Sequence, residues 1–248
     1  MNEKKPSFAQ KQCITSAGKI MHLTEMLWPG ARIGVALSGG VDSWTMLKVL
    51  LVRQRIIPFY FEIMVLHINP GFDPQNHLPL IKWLAKNPIP AHIEYTNIGP
   101  YAHSEANIKK SPCFICAWNR RKKLFELCSR YNLTHLALGH TKEDLVETFF
   151  LNMLQNGNIR GLKANESFFS GELNLVRPML LTEKNKITQA AKKWRLPVWD
   201  NPCPSASSSK RKQMLKRIDA LCENDKTTRK NIFNAISRWQ LDLDTGLI

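Results

Sequence analysis

Ser38-Gly39-Gly40-Val41-Asp42-Ser43 follows a short apolar run, Ile33 to Leu37, and precedes a segment in which Trp44, Leu47, Leu50 and Leu51 recur at helical spacing. That order predicts a buried strand, a tight turn and a helix. Glycines let the turn bring backbone N–H groups close to a ligand. The helix then points its positive end at the same spot, which predicts an anion cradle. Ser38 and Ser43 add hydroxyl donors. Asp42 is out of place beside a polyphosphate unless a divalent cation such as Mg2+ stands between them. The stretch is not a Walker A loop, because no GxxxxGK[ST] pattern is present and no lysine follows the glycines. An ordinary glycine-rich turn is the plain alternative; the whole six-residue stretch in this setting favours a nucleotide site.

Outward from this turn, strand and helix patterns alternate. A polar lead-in and a helix containing Ile20, Leu23, Met26 and Leu27, ended by Pro29-Gly30, are expected before it. After it come a strand from Phe61 to Ile68, a helix from His77 to Lys86 and a strand from His92 to Thr96. A polar loop is expected from Asn97 to Pro112, then a basic helix from Cys116 to Tyr131 with Leu124, Leu127 and Cys128 on one face. A strand at Leu136 to Leu138, a helix from Lys142 to Leu154 and a loop from Asn156 to Ser170 follow. Leu175-Val176 leads into Arg177-Pro178, and Thr182 is expected to cap a helix reaching Trp194.

This alternation predicts an α/β fold, a parallel twisted sheet with helices on both faces and short helical additions at the two ends. The expected division is 1–29 as a helical lead-in, 30–203 as the nucleotide-binding domain and 204–248 as a basic helical tail. Ligands of such sheets bind beyond the carboxyl ends of the strands. Ser38–Ser43, His67, Gly139-His140 and Arg177-Pro178 all fall at or just after a strand end, which predicts one site. The aromatic residues Trp118, Phe125, Phe149 and Phe150 are assigned mostly to the core, with stacking on a base left open for Trp118 alone.

The chain of 248 residues carries 35 Lys and Arg against 20 Asp and Glu, a net charge of +15. ATP alone does not require such an excess; a polyanion, first of all nucleic acid, does. The N-terminal stretch is charged and polar and shows no signal peptide, and no apolar run is long enough for a membrane span. A cytoplasmic protein without membrane contact is therefore expected, with its six cysteines reduced. Cys113-Phe-Ile-Cys116 directs two thiols to one point at the start of the basic helix, where redox, zinc and iron–sulfur chemistry all remain open. Pro202-Cys203-Pro204 supplies a third cysteine in a stiff setting just past the last strand. Three cysteines can hold a [4Fe–4S] cluster and leave one iron without a protein ligand. Cys128 and Cys222, on apolar helix faces, are read as small buried hydrophobes.

VALSGGVDS (Val35–Ser43), PCFIC (Pro112–Cys116), LALGHTKEDLVETFFLNML (Leu136–Leu154), VRPML (Val176–Leu180) and NPC (Asn201–Cys203) carry a resemblance. The chain resembles the PP-loop ATP pyrophosphatase superfamily and, within it, the tRNA 2-thiocytidine synthetases (TtcA family). The resemblance runs from about Arg32 to Cys203. It implies an ATP-dependent sulfurtransferase that adenylates a tRNA base, releases pyrophosphate and installs sulfur. It implies Ser38, Gly39, Gly40, Val41, Asp42 and Ser43 as the ATP loop, with Gly139, His140 and Asp144 near the nucleotide and a looser match at His67. Arg177 corresponds to an arginine facing phosphates or the activated base, and Asp42 and Arg177 are implied in catalysis. Cys113, Cys116 and Cys203 are implied as the catalytic ligands of a [4Fe–4S] cluster. The implied partners are tRNA and a sulfur donor such as a cysteine desulfurase or free sulfide; a homodimer is compatible with the pattern.

The chain departs from the family at two places. Ala206 stands where a further cysteine is usual, and Glu143 replaces one aspartate of the GHxxDD-like segment. Two other readings remain at this point: an ammonia-using ligase with structural zinc, and a nucleotide-regulated RNA-binding protein without activity.

Overall fold

The structure, a computed structural model, describes residues 5–107, 111–200, 202–206, 210–223 and 225–241. The expectations for Asn201, for Ser207–Ser209 and for the extreme ends of the chain lie outside the described residues. Among the described residues, six strands form one sheet: β1 (Arg32–Ala36), β2 (Glu62–Asn69), β3 (Ala91–Tyr95), β4 (His135–Ala137), β5 (Asn165–Phe168) and β6 (Leu173–Val176). Their order is β3-β2-β1-β4-β6-β5, and every neighbouring pair is parallel except β5 with β6. The chain leaves β1 towards β2 and β3, then returns to place β4 on the other flank of β1. The crevice beyond β1 and β4 is thus the switch point where α/β sheets bind ligands.

The helices are α1 (Phe8–Leu23), α2 (Val41–Gln54), α3 (Leu78–Leu84), α4 (Ile98–Ala102), α5 (Pro112–Arg130), α6 (Lys142–Asn156), α7 (Lys184–Trp194), α8 (Lys210–Cys222) and α9 (Lys226–Leu241). Side chains alternate across the sheet. Ile33, Val35, Ile63 and Val65 pack under α1, α2 and α7, whereas Leu66, Ile68 and Leu136 meet Leu124, Leu127 and Cys128 of α5 on the opposite face. Each buried leucine contributes about 1.5–3 kcal/mol, so apolar packing holds α5 in place whatever its cysteines bind. The tail helices pack on α6 and join the larger core through Met214, Ile218, Cys222, Phe233 and Ile236.

Five local expectations change. The first helix begins earlier, at a capping box between Ser7 and Gln10, and ends at Leu23; Met26 is buried from the loop beyond it. The stretch read as a loop from Asn97 contains α4, which buries Ile98 and Ala102. The loop read from Asn156 to Ser170 contains β5, a sheet edge whose backbone pairs with β6 although its side chains bury little. The β5 residues, Asn165 to Phe168, show no apolar alternation of the kind that marks a strand in sequence. Glu183, not Thr182, is the N-cap of α7, and Thr182 is buried with its N–H donated to Met179. His67 lies inside β2 rather than at its end.

His67, His135 and His140 share a consequence of this packing. Burial is the main cause that depresses each of them to about 4. An unfolded chain takes up those protons near pH 6.5, and the fold refuses them until about pH 4. Their contribution to stability is therefore complete above pH 6.5 and is lost as the pH falls. Thermal melts should show a melting temperature that declines from pH 6.5 to 5, above the ordinary carboxylate range, and His135→Gln should flatten that decline. An unchanged slope in the variant would mean that His135 titrates normally in the fold.

Candidate active site

The turn after β1 is knotted by its serines. Ser43 Oγ donates to the Gly40 carbonyl at 2.9 Å and accepts from the Ser38 N–H at 3.2 Å, with Ser38 Oγ also 3.2 Å away. The hydroxyls expected to face a ligand hold the shape of the loop instead, because Ser43 is buried. Outward donation falls to the first backbone N–H groups of α2, which have no partners within the helix. Gly40 is the N-cap of that helix. Gly39 adopts φ +95°, and a Cβ there would lie 2.2 Å from Cε2 of Trp199. Trp199 N–H donates to the Gly39 carbonyl at 3.1 Å, and its indole N–H to Asn76 Oδ1 at 3.0 Å. Gly139 is a second close approach, since a Cβ there would meet the Ser43 nitrogen at 3.1 Å.

Carboxylates gather beside this loop. Asp42 Oδ2 lies 3.5 Å from Lys184 Nζ, while Oδ1 is buried with no hydrogen-bond partner. Burial raises the Asp42 carboxyl above its usual range, and Lys184 pulls it back. Asp144 accepts from the Thr141 N–H at 2.8 Å in a capping box at the start of α6, and its other oxygen meets Arg211 of α8 at 3.4 Å. Glu143 accepts the Lys184 N–H with both oxygens, at 3.0 and 3.1 Å. Its longer side chain thus caps the next helix, which gives a structural use to the departure from aspartate. Burial, then the charge of Asp144, pushes Glu147 up to about 7. Lys184 and Arg211 were not singled out from sequence in these roles; only their position in space reveals them.

His67 Nδ1 lies 2.7 Å from the Leu37 carbonyl, which can only accept, so Nδ1 carries the proton. Its Nε2 is a buried acceptor without a partner beside the turn. His140 is fixed differently. Arg177 Nε donates to His140 Nδ1 at 3.3 Å, leaving the proton of the neutral ring on Nε2. Burial first, then the Arg177 charge, keeps that ring neutral. Arg177 itself is only 5% exposed, and its guanidinium is committed to the Lys163 carbonyl and, at 3.4 Å, to Glu166 of β5. It contacts His140 but spends its remaining donors on the edge strand.

The cysteines separate into two groups. Cys13, Cys128 and Cys222 are buried, and burial pushes Cys128 up to about 12. Cys113 and Cys116 lie on the first turns of α5, which starts at the Ser111 cap and so includes the whole CxxC rather than following it. Burial raises the Cys116 thiol, Arg120 lowers it, and the charges of Cys203 and Cys113 reach it and raise it again. Cys203 is flanked by two anchors. Trp199 is fastened to the loop, and Ser205 donates to His103 Nε2 at 2.8 Å, with His103 Nδ1–H directed to Gly99 of α4 at 3.0 Å. The donor set suits a sulfur-bridged iron cluster, which takes thiolates spread around it. Among the described residues, no three His, Cys, Asp or Glu side chains converge on a single-ion site.

A family model for the PP-loop domain matches residues 14–218. The chain belongs to the PP-loop family. It is 30% identical over 217 residues to a tRNA-cytidine(32) 2-sulfurtransferase of Bordetella pertussis, covering 86% of this chain and 67% of that protein. A tRNA-cytidine(32) 2-sulfurtransferase of Geotalea uraniireducens is 30% identical over 213 residues, covering 85% and 84%. Among solved structures, the U34-tRNA thiolase NcsA of Methanococcus maripaludis, with its [4Fe-4S] cluster, superposes with a TM-score of 0.74 at 19% identity. That likeness covers 96% of this chain and 85% of the thiolase and establishes the shared fold. Ser38–Ser43 lies within the matched residues.

Trp199 is the contact to the Ser38–Ser43 loop that sequence reading missed. Its only signal was an aromatic residue just before the third cysteine. Trp118, grouped with the mostly buried aromatics but left open as a stacking residue, is 58% exposed. Gly39→Ala should destabilise the fold by about 1–3 kcal/mol from its positive φ alone, and further through the clash with Trp199. Thermal melts and ATP titration should both register it, and adding Trp199→Ala should recover only the part due to the clash. A Gly39→Ala protein that melts and binds ATP like the wild type would refute the close approach.

Proposed function

We propose that this PP-loop protein is an ATP-dependent sulfurtransferase that thiolates a cytidine of tRNA. The observation that carries the reading is that Trp199 is bonded to the loop at Gly39 and Ser205 to His103, on either side of Cys203, whose charge reaches Cys116 of α5. The relatives named for tRNA-cytidine sulfur transfer support it. The chemistry joins two needs. A base carbonyl oxygen leaves poorly from water, and adenylation with loss of pyrophosphate makes it a leaving group that sulfur can replace as AMP departs.

The backbone N–H groups at the start of α2 would receive the phosphates, with the helix dipole favouring their charge. Asp42 has one oxygen on Lys184 and one buried oxygen in need of a positive partner, so it suits Mg2+ between carboxylate and phosphate. His67 Nε2 keeps a buried lone pair without a partner, which would accept a hydrogen bond from a nucleoside that reached it. His140, kept neutral with its proton on Nε2, is a donor to oxyanions, and Arg177 is the positioning residue that fixes this tautomer. A [4Fe–4S] cluster on Cys113, Cys116 and Cys203 would supply an iron position open to sulfide from a donor such as a cysteine desulfurase.

Part of the basic charge is available for tRNA. Arg121, Lys122 and Lys210 are exposed, whereas Lys123 pairs with Glu94 and Glu126, and Arg211 with Asp144. All six thiols are free, as suits a reducing, cytoplasmic setting. Among the described residues, no helix is long and apolar enough to cross a membrane.

The direct test is anaerobic purification followed by mass spectrometry of nucleosides from tRNA incubated with ATP and sulfide. Iron, labile sulfide and ATP-dependent 2-thiocytidine are expected; colourless zinc protein that amidates instead would reverse the reading. Serine at Cys113, Cys116 or Cys203 should each remove most bound iron and abolish thiolation, while serine at Cys128 or Cys222 should leave iron loading intact. Full iron in Cys203→Ser would exclude it as a ligand. Asp42→Asn should lower AMP formation by about two orders of magnitude, in the range of a lost transition-state electrostatic contact, with an unchanged melting curve. Wild-type rates at all Mg2+ concentrations would remove Asp42 from metal binding.

A further inference from the structure

The outward face of α5 carries a feature that the sulfur chemistry leaves unused. Phe114, Ala117, Trp118, Arg121 and Lys122 recur at the spacing of one helix face, and all are exposed. Phe114 and Trp118 are 51% and 58% exposed, and their rings stack nearly parallel, at 13° with centroids 6.5 Å apart. Large apolar rings facing water are costly unless something covers them. The pair shares the first turns of α5 with Cys113 and Cys116 but lies on another face of the helix, since Phe114 is one residue past Cys113 and Trp118 two past Cys116. Along the same face, the aromatics give way to Arg121 and Lys122.

We propose that Trp118 and Phe114 form a stacking platform for an unpaired base of the RNA, on the helix that carries Cys113 and Cys116. This inference rests on the functional reading above. A base inside an RNA loop must be pulled out of its stack before its carbonyl can reach a reaction centre. Aromatic surface on that helix replaces the stacking that is lost, without reading the identity of the base. Arg121 and Lys122 then hold the neighbouring phosphates, which fix register and orientation. Rings followed by cations suit bases followed by a sugar–phosphate chain, and the net charge of +15 favours the same partner. The platform takes a base flanking the target, because the rings face solvent while the PP-loop lies in the crevice of the sheet.

The test compares wild type, Trp118→Ala, Trp118→Phe and Arg121→Ala, using tRNA affinity measured across a range of salt concentrations. Trp118→Ala should weaken binding about tenfold, as for one lost base stack, with an unchanged salt slope. Trp118→Phe should stay near wild type, and Arg121→Ala should reduce the slope by about one. ATP affinity and iron content should be the same in all four. Quenching of tryptophan fluorescence by tRNA should be smaller in Trp118→Phe. Equal tRNA affinity in wild type and Trp118→Ala would overturn the platform while leaving the functional reading intact. So would a loss that phenylalanine fails to restore. If Trp118→Ala instead turned a dimer into a monomer with tRNA affinity unchanged, the face would belong to a second copy of this chain. A wild-type protein that binds no tRNA would remove the functional reading and this inference together.

Discussion

The contact between the Trp199 indole and the bare Cα of Gly39 is the constraint on which the rest of the site depends. A side chain at Gly39 would occupy the space of the ring, so the loop and the tryptophan specify each other. Trp199 also meets Trp44 of α2 and His67 of β2 edge-on, with centroids 5.8 and 5.7 Å away. Such edge-to-face pairs add about 0.5–1.5 kcal/mol each to the area buried. Beyond Trp199 the chain runs to Cys203 and is fastened again at Ser205. Trp199 and Ser205 thus fasten the chain on either side of Cys203.

A second layer of order comes from charge. Asp42, Glu143, Asp144 and Glu147 bring four carboxylates to the loop side of α2 and α6, and Lys184 and Arg211 answer them. Arg211 is more than half exposed, and an exposed pair contributes about 0–1 kcal/mol. It cannot hold the tail in place. The apolar stripe of Met214, Ile218, Phe233 and Ile236 does that, and the ion pair then aligns the start of α8 with Asp144. Burial, then the charge of Asp144, pushes the Glu147 carboxyl up to about 7, against the pull of Arg211 and Lys184.

Reading the chain in sequence located the strands that are buried on both faces and the helices with clear apolar stripes. Those elements announce themselves because the periodicity of burial is written into each segment. β5 was missed because its pairing is a matter of backbone alone, with no apolar alternation to see. Thr182 looked like a cap because threonine caps helices well, yet it was needed as a buried residue one position earlier. Trp118 looked like core because it is large and apolar; its helix simply turns that face outward.

Residue types and short spacings by themselves determined the α/β class, the tight turn at Ser38–Ser43, the CxxC on a basic helix and the burial of Cys128 and Cys222. Each of these is local: a glycine pair, a three-residue spacing or an apolar stripe has its meaning within one or two turns of chain. Only the tertiary structure decided that Trp199 seats on Gly39, that Lys184 serves Asp42, that Arg177 spends its donors on Glu166 and His140, and that the charge of Cys203 reaches Cys116. These partners are far apart in sequence, and contact between them arises where the sheet order brings the strand ends together. No local pattern encodes that order. It follows from burying both faces of the sheet at once.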